Sequence, residues 1–244
     1  MTNLGGLKGL LFDKDGTLID FFATWMPAYC QAADRIAAAA GLPDHGDRLL
    51  LAGGYDRAGD RLEPESLLAG GTNEELIAMW RATLGIRAPA DLDRIVLETF
   101  ADHSEGDIRP TADLAPLFGD LRDLGYLLGI ATNDDTHAAR WTAERLGLSA
   151  MLALVVGADA GHGGKPGPGM ALAFCAATGL HPSEVAIIGD SAADSGMARA
   201  AGLGAAIGVC TGAAPAAALA PHFDVVIASV ADLPALLAGQ PVTA

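Results

Sequence analysis

Leu10-Leu11-Phe12-Asp13-Lys14-Asp15-Gly16 sets the reading of the whole chain. An apolar run this short, stopped at once by Asp and Gly, reads as a buried strand that ends at a turn. After Asp20 the texture changes. From Phe21 to about Asp107, Ala-rich and amphipathic stretches at 28–40, 74–84 and 91–103 predict helices, punctuated by Pro43, Gly53-Gly54, Gly70-Gly71 and Pro89, and no strand is expected. From Arg109-Pro110 onward the two patterns alternate. A helix over about 112–124 leads to a strand from Leu127 to Thr132, then a helix over 135–147 and a strand at Leu152–Val156. A Gly/Pro loop from Gly157 to Gly167 opens a helix over 168–178. A strand at Val185–Ile188, a helix over 192–201 and strands at Leu203–Val209 and Asp224–Ala228 complete the series. Such alternation specifies an α/β protein with a Rossmann-like, doubly wound parallel sheet. Residues 1–19 and 108–244 then form the core, and 20–107 form an α-helical cap domain inserted after the first strand.

Composition narrows the partners. The 244 residues are 51% hydrophobic, enough to bury a full core. Asp and Glu number 30 against 15 Lys and Arg, a formal charge of −15, and the only lysines are Lys8, Lys14 and Lys165. So acidic a surface repels nucleic acid and anionic lipid, and neither is an expected partner. Cys30, Cys175 and Cys210 show no disulfide or zinc spacing. The first residues lack the apolar stretch of a signal peptide, and the apolar segment Leu146 to Ala158 is too short to span a bilayer. A soluble, cytoplasmic protein is expected.

In open α/β sheets, ligands bind beyond the carboxyl ends of the strands. Those ends carry Asp13 and Asp15, Thr132 and Asn133, and Asp190 with Asp194, while Lys165 comes from the Gly-rich loop. Carboxylates converging on one point repel each other unless a cation joins them. Without a His or Cys cluster, Mg²⁺ suits such oxygen ligands better than zinc. A metal and a lysine beside a hydroxyl donor make a site for phosphoryl transfer. One carboxylate can attack phosphorus while its neighbour protonates the leaving alkoxide.

The segments LLFDKDGTLID, ATND, GKPGPG and GDSAAD resemble, in order and spacing, the four motifs of the haloacid dehalogenase superfamily. The run GDSAADSGMARAAGLGAAIGVCTG is similar to its phosphoglycolate phosphatase-like branch. The resemblance implies Asp13 as the nucleophile and Asp15 as general acid and base. It implies Thr132, helped by the backbone at Asn133, as holder of the phosphoryl group, and Lys165 as the bridge between Asp13 and phosphate. Mg²⁺ would be held by Asp13, Asp190 and the backbone carbonyl of Asp15, with Asp194 as a ligand or as support behind one. The helical insertion would gate the site and contact the substrate, a small phosphorylated metabolite for which 2-phosphoglycolate is the first candidate.

The alternative is a phosphomutase of the β-phosphoglucomutase type, which shares these residues. A dehalogenase is disfavoured, because a halide leaves without the proton that Asp15 supplies. The family's phosphonate-cleaving branch uses a cap lysine, and residues 20–107 contain none. A non-catalytic binding protein on the same scaffold is the reading from another class, and the intact Asp and Lys set speaks against it. Oligomeric state is left open.

Other residues carry weaker expectations. Lys14 reads as a solvated or structural lysine pointing away from Asp13, and His162 as incidental. Phe21, Phe22, Trp25 and Tyr29 read as packing between cap and base. Asp134 and Asp135 add two carboxylates near the mouth, disfavouring a strongly anionic substrate unless Arg57 or Arg61 compensates.

Overall fold

In the computed structural model the described residues are 4–63, 66–104 and 108–239. The chain divides into two compact units, Met1–Phe21 with Arg109–Ala244, and Phe22–Ile108. β1 (Gly9–Phe12) precedes the second unit, which holds α1 (Phe21–Ala39) beyond its first residue, α2 (Gly46–Ala52), β2 (Tyr55–Asp56), β3 (Arg61–Leu62), α3 (Leu67–Gly70), α4 (Asn73–Leu84) and α5 (Leu92–Ser104). The first unit resumes with α6 (Leu114–Asp123), β4 (Leu127–Ala131), α7 (Thr136–Arg145), β5 (Leu152–Val156), α8 (Gly169–Thr178) and β6 (Val185–Gly189). It ends with α9 (Ala192–Ala201), β7 (Ala205–Val209), α10 (Ala216–Leu219), β8 (Val225–Ile227) and α11 (Leu233–Leu237).

In the first unit six strands form one sheet in the order β5-β4-β1-β6-β7-β8, and every pairing is parallel. The order reverses around β1, which pairs with β4 on one side and β6 on the other, so the chain leaves a crevice at its carboxyl end. β1, β6 and β7 are buried throughout, as strands covered on both faces must be. Alternate residues of β1 serve opposite faces. Leu10 and Phe12 pack with Leu117, Phe118 and Leu121 of α6, whereas Leu11 packs with Met170 and Phe174 of α8 and Met197 of α9.

The helical unit differs from expectation in one element. β2 and β3 form an antiparallel hairpin with Tyr55 opposite Leu62 and Asp56 opposite Arg61. Two-residue strands are too short to write a period-2 pattern, and side chains shape the turn instead. Asp56 Oδ1 accepts from the backbone of Ala58 (3.1 Å) and Gly59 (3.2 Å), and the Tyr55 hydroxyl donates to Asp60 (2.8 Å). α4 begins at a capping box: Glu75 N–H donates to Thr72 Oγ1 (3.2 Å), and Thr72 N–H to the Glu75 carboxylate (2.8 Å). Trp25 and Tyr29 of α1 pack on Phe100 of α5, with ring centroids 5.8 and 5.3 Å from it, inside the helical unit. Phe22 is exposed.

Phe118 is fully buried and its ring centroid lies 4.8 Å from that of Phe12, the residue before Asp13. Phe118→Ala is expected to destabilise the core by about 3–5 kcal/mol. Urea unfolding followed by tryptophan fluorescence and circular dichroism checks this, and a loss below about 1 kcal/mol would show that the site is not held by this packing.

Candidate functional site

The sheet delivers three elements to one point. Phe12 is level with Ile130 of β4 and Ile188 of β6, so the next residue of each strand emerges at the same edge. There the Asp13 amide donates to Ile188 O (2.8 Å), and Thr132 N–H to Val156 O (3.1 Å). Asp13, Asp190 and Asp194 are buried, and each offers a carboxylate oxygen within 4.8 Å of the others. Lys165 is also buried, and its ammonium pairs with Asp13 Oδ1 and, at 2.7 Å, with Asp194 Oδ1.

Three carboxylates face one ammonium here, which leaves two negative charges uncompensated when all are ionised. Burial shifts these groups as the imbalance requires. Burial pushes the Asp13 carboxyl up to about 7; Lys165 pulls it down, and Asp194 and Asp15 add to the rise. Asp190 is pushed well above the usual carboxylate range, by burial first and then by Asp13 and Asp194. Burial opposes the charge on Lys165, yet Asp13 and Asp194 outweigh it and hold the ammonium above its ordinary value. An all-oxygen donor set that lacks two positive charges suits a hard divalent cation, and Mg²⁺ fits it.

The backbone is shaped to this cluster. Gly16 has φ of +79°, and a Cβ there or on Gly212 would strike the Asp190 carboxylate. Thr17 Oγ1 donates to Asp190 Oδ1 (3.3 Å), and Thr211 Oγ1 to the carbonyl of Gly16 (2.6 Å). Asp194 has a second task. Its Oδ2 accepts from the Ser191 amide (3.1 Å) and hydroxyl (2.7 Å) at the start of α9, so one carboxylate joins a helix start to Lys165.

Two of the expected residues stand apart from the trio. The Asp15 carboxylate belongs to a different ion cluster, described below. The Asn133 side chain holds the backbone of Lys165: its Oδ1 accepts from Lys165 N–H (2.7 Å) and its Nδ2 donates to Lys165 O (3.4 Å). It thereby joins the loop after β4 to the loop that carries the lysine. Thr132 is buried, with Oγ1 accepting from the Asp134 amide (3.1 Å).

Of the two roles expected for Lys14, solvated or structural, the structure shows the structural one: it is 1% exposed. Its ammonium contacts Asp15 (2.7 Å) and Asp134 (3.0 Å). Burial works against its charge, but the two carboxylates raise its pKa above the ordinary lysine value. Asp134 and Asp135 therefore do not add two unengaged charges at a mouth. Asp134 pairs with Lys14, and Asp135 caps α7 by accepting from the Ala138 amide (2.7 Å). The sequence left the two roles open because neighbouring residues on an extended strand point to opposite sides, which says nothing of burial once the strand has ended. An abrupt Lys between two Asp was the available signal. In the helical unit Arg57 is bound to Asp34 (3.0 Å) and Asp47 (3.1 Å) and so is not an unengaged anion receptor, while Arg61 is exposed. His162 is exposed. No helix among the described residues is long and apolar enough to cross a membrane.

The haloacid dehalogenase-like hydrolase family matches residues 7–202. Phosphoglycolate phosphatase of Chromobacterium violaceum is 33% identical over 231 residues, covering 95% of this chain and 96% of the relative. N-acetylmuramic acid 6-phosphate phosphatase of Pseudomonas aeruginosa is 27% identical over 196 residues, covering 80% and 79%. Among solved structures, a haloacid dehalogenase-like family hydrolase from Streptococcus pneumoniae superposes with a TM-score of 0.71 at 19% identity, covering 95% of this chain and 98% of that one.

The charge imbalance makes a direct prediction. In EDTA, Asp190→Asn should raise the melting temperature by about 2–4 °C, on the order of 1 kcal/mol, because one of three repelling carboxylates is gone. Millimolar Mg²⁺ should raise the melting temperature of the wild type and leave that of Asp190→Asn unmoved. An equal Mg²⁺ response in both proteins would place the cation elsewhere.

Proposed function

The chain belongs to the haloacid dehalogenase-like hydrolase family, and from that premise we propose that it transfers the phosphoryl group of a small phosphomonoester to Asp13 and then to water. It is a phosphoric monoester hydrolase of the phosphoglycolate phosphatase-like branch. The observation that carries the proposal is the pairing of Asp13 with Lys165 at the carboxyl edge of the sheet, inside a carboxylate trio and beside Asp15.

An Asp13 oxygen attacks phosphorus, the bond from phosphorus to the ester oxygen breaks, and Asp15 gives its proton to the departing oxygen. Water then attacks phosphorus and passes a proton back to Asp15, the bond from phosphorus to Asp13 breaks, and inorganic phosphate leaves. Lys165 holds one oxygen of Asp13 and offsets charge on the phosphoryl group, while Thr132 presents its hydroxyl to that group. Mg²⁺, held by Asp13, Asp190 and the Asp15 carbonyl with Asp194 alongside, would supply the positive charge that this trio lacks. Asn133 fixes the loop from which Lys165 reaches in. The inserted helical unit serves as the cap, selecting the substrate and excluding water.

The substrate proposed first is 2-phosphoglycolate, on the strength of the Chromobacterium relative. The Pseudomonas relative acts on a sugar phosphate, so hexose and amino-sugar phosphates belong in the same test. Phosphate release from such a panel should require Mg²⁺ and stop with EDTA. Asp13→Asn should lower kcat at least about 10³-fold on every substrate. Interconversion of hexose phosphates faster than phosphate release would replace this reading with the phosphomutase, and full activity in Asp13→Asn would remove the covalent step.

A further inference from the structure

We propose that Lys14 is a positioning residue for Asp15, and that Asp134 holds Lys14 in that place. The inference rests on the reading of Asp15 as the residue that gives and takes the proton. It goes beyond that reading by assigning a task to two side chains that the reaction scheme does not use.

The geometry is a clamp. Lys14 Nζ lies 2.8 Å from Asp15 Oδ1 and 2.7 Å from Oδ2, so one ammonium spans both oxygens and fixes the plane of the carboxylate. The same ammonium lies 3.0 Å from Asp134 Oδ2. On a surface, a lysine would give up about as much side-chain freedom as such an ion pair returns. Buried at 1% exposure, its desolvation is the larger quantity, and two carboxylates rather than one are what offset it.

Both ends of the clamp are fixed by the backbone. The Lys14 carbonyl accepts from the amides of Leu18 (2.8 Å) and Ile19 (3.1 Å), which pins the origin of the side chain. Asp134 Oδ1 accepts from the Asp135 amide (2.8 Å), and its carbonyl from Ala158 (3.0 Å). The Asp134 amide in turn donates to Thr132 Oγ1 (3.1 Å). Asp15, Lys14, Asp134 and Thr132 thus form one connected line, from the proton carrier to the hydroxyl that faces the phosphoryl group. Lys165 has no part in it: its ammonium is committed to Asp13 and Asp194. The two buried lysines therefore hold different groups, Lys165 the nucleophile and Lys14 the proton carrier. Misplacing a catalytic group by about 1 Å can cost on the order of 10²-fold in rate.

The test exploits the leaving group. An alkoxide needs a proton as it departs, whereas 4-nitrophenolate leaves without one, and kcat/KM covers the steps up to that departure. Lys14→Met, Asp134→Asn and Asp15→Asn are each assayed with Mg²⁺ on 4-nitrophenyl phosphate. They are also assayed on whichever of 2-phosphoglycolate, glycerol 3-phosphate and glucose 6-phosphate the wild type hydrolyses fastest. For Lys14→Met the expected loss of kcat/KM is about 10²-fold on the alkyl ester and less than about 5-fold on the aryl ester. Asp134→Asn should show the same selectivity with a loss of about 10-fold on the alkyl ester. Asp15→Asn isolates the premise: if it loses both esters equally, the reading of Asp15 falls, and this inference with it. If Asp15→Asn is selective but Lys14→Met loses both esters equally, or neither, then Lys14 does not position Asp15 and the inference is overturned. Should Lys14→Met fail to fold, judged by its thermal melt, Asp134→Asn decides: a selective loss supports the clamp, and an unselective loss or none overturns it.

Discussion

One ammonium governs the carboxyl edge of the sheet. Lys165 Nζ sits between Asp13 and Asp194, with Asp190 close by, where little water reaches any of them. Buried charges are tolerated only when paired, and here the pairing is incomplete by two charges. Burial first, and the neighbouring carboxylates after it, raise Asp13 and Asp190 above the usual carboxylate range, and the deficit is of the size that a divalent cation would fill. The backbone around Asp190 is bare for a steric reason, since a side chain on Gly16 or Gly212 would occupy the carboxylate's own position.

The chain as a whole is strongly acidic and has only three lysines, two of which are buried in adjacent ion clusters. Lysine charge is therefore placed rather than spread. Each buried lysine is held by carboxylates that the fold fixes independently, Asp194 through the start of α9 and Asp134 through the start of α7 and the end of β5. The parallel sheet makes this possible. Reversal of strand order around β1 brings the loops after β1, β4 and β6 to one crevice, and the loop after β5 needs only the Asn133 clamp to carry Lys165 into it.

Most of the sheet was legible because buried parallel strands are short apolar runs closed by Gly or Asp, as at β1 and β6. Residues at their ends could be named before any contact was known, since a strand ending in Asp13 or Gly189-Asp190 leaves its next side chain at the edge. What escaped was non-local. The hairpin of β2 and β3 is too short for periodicity and depends on Asp56 and Asp60 turning the chain. Arg57 looked available because its partners, Asp34 and Asp47, are distant in sequence. Lys14 could be read as solvated or as structural, and what decides between them is a partner, Asp134, that lies 120 residues away. Asn133 follows Thr132 in the sequence, and its side chain turns to the lysine loop.

The central claim is covalent transfer to Asp13, and the direct measurement is the mass of the peptide that carries it. Asp15→Asn is mixed rapidly with 4-nitrophenyl phosphate and Mg²⁺, quenched in acid and digested at low pH. The leaving group needs no proton, while hydrolysis of the acyl phosphate lacks its base. The account predicts a burst of about one 4-nitrophenol per active site, with one phosphoryl group on Asp13 that hydroxylamine removes. Steady release without a burst, or a burst with the phosphoryl group on any other residue, would contradict it.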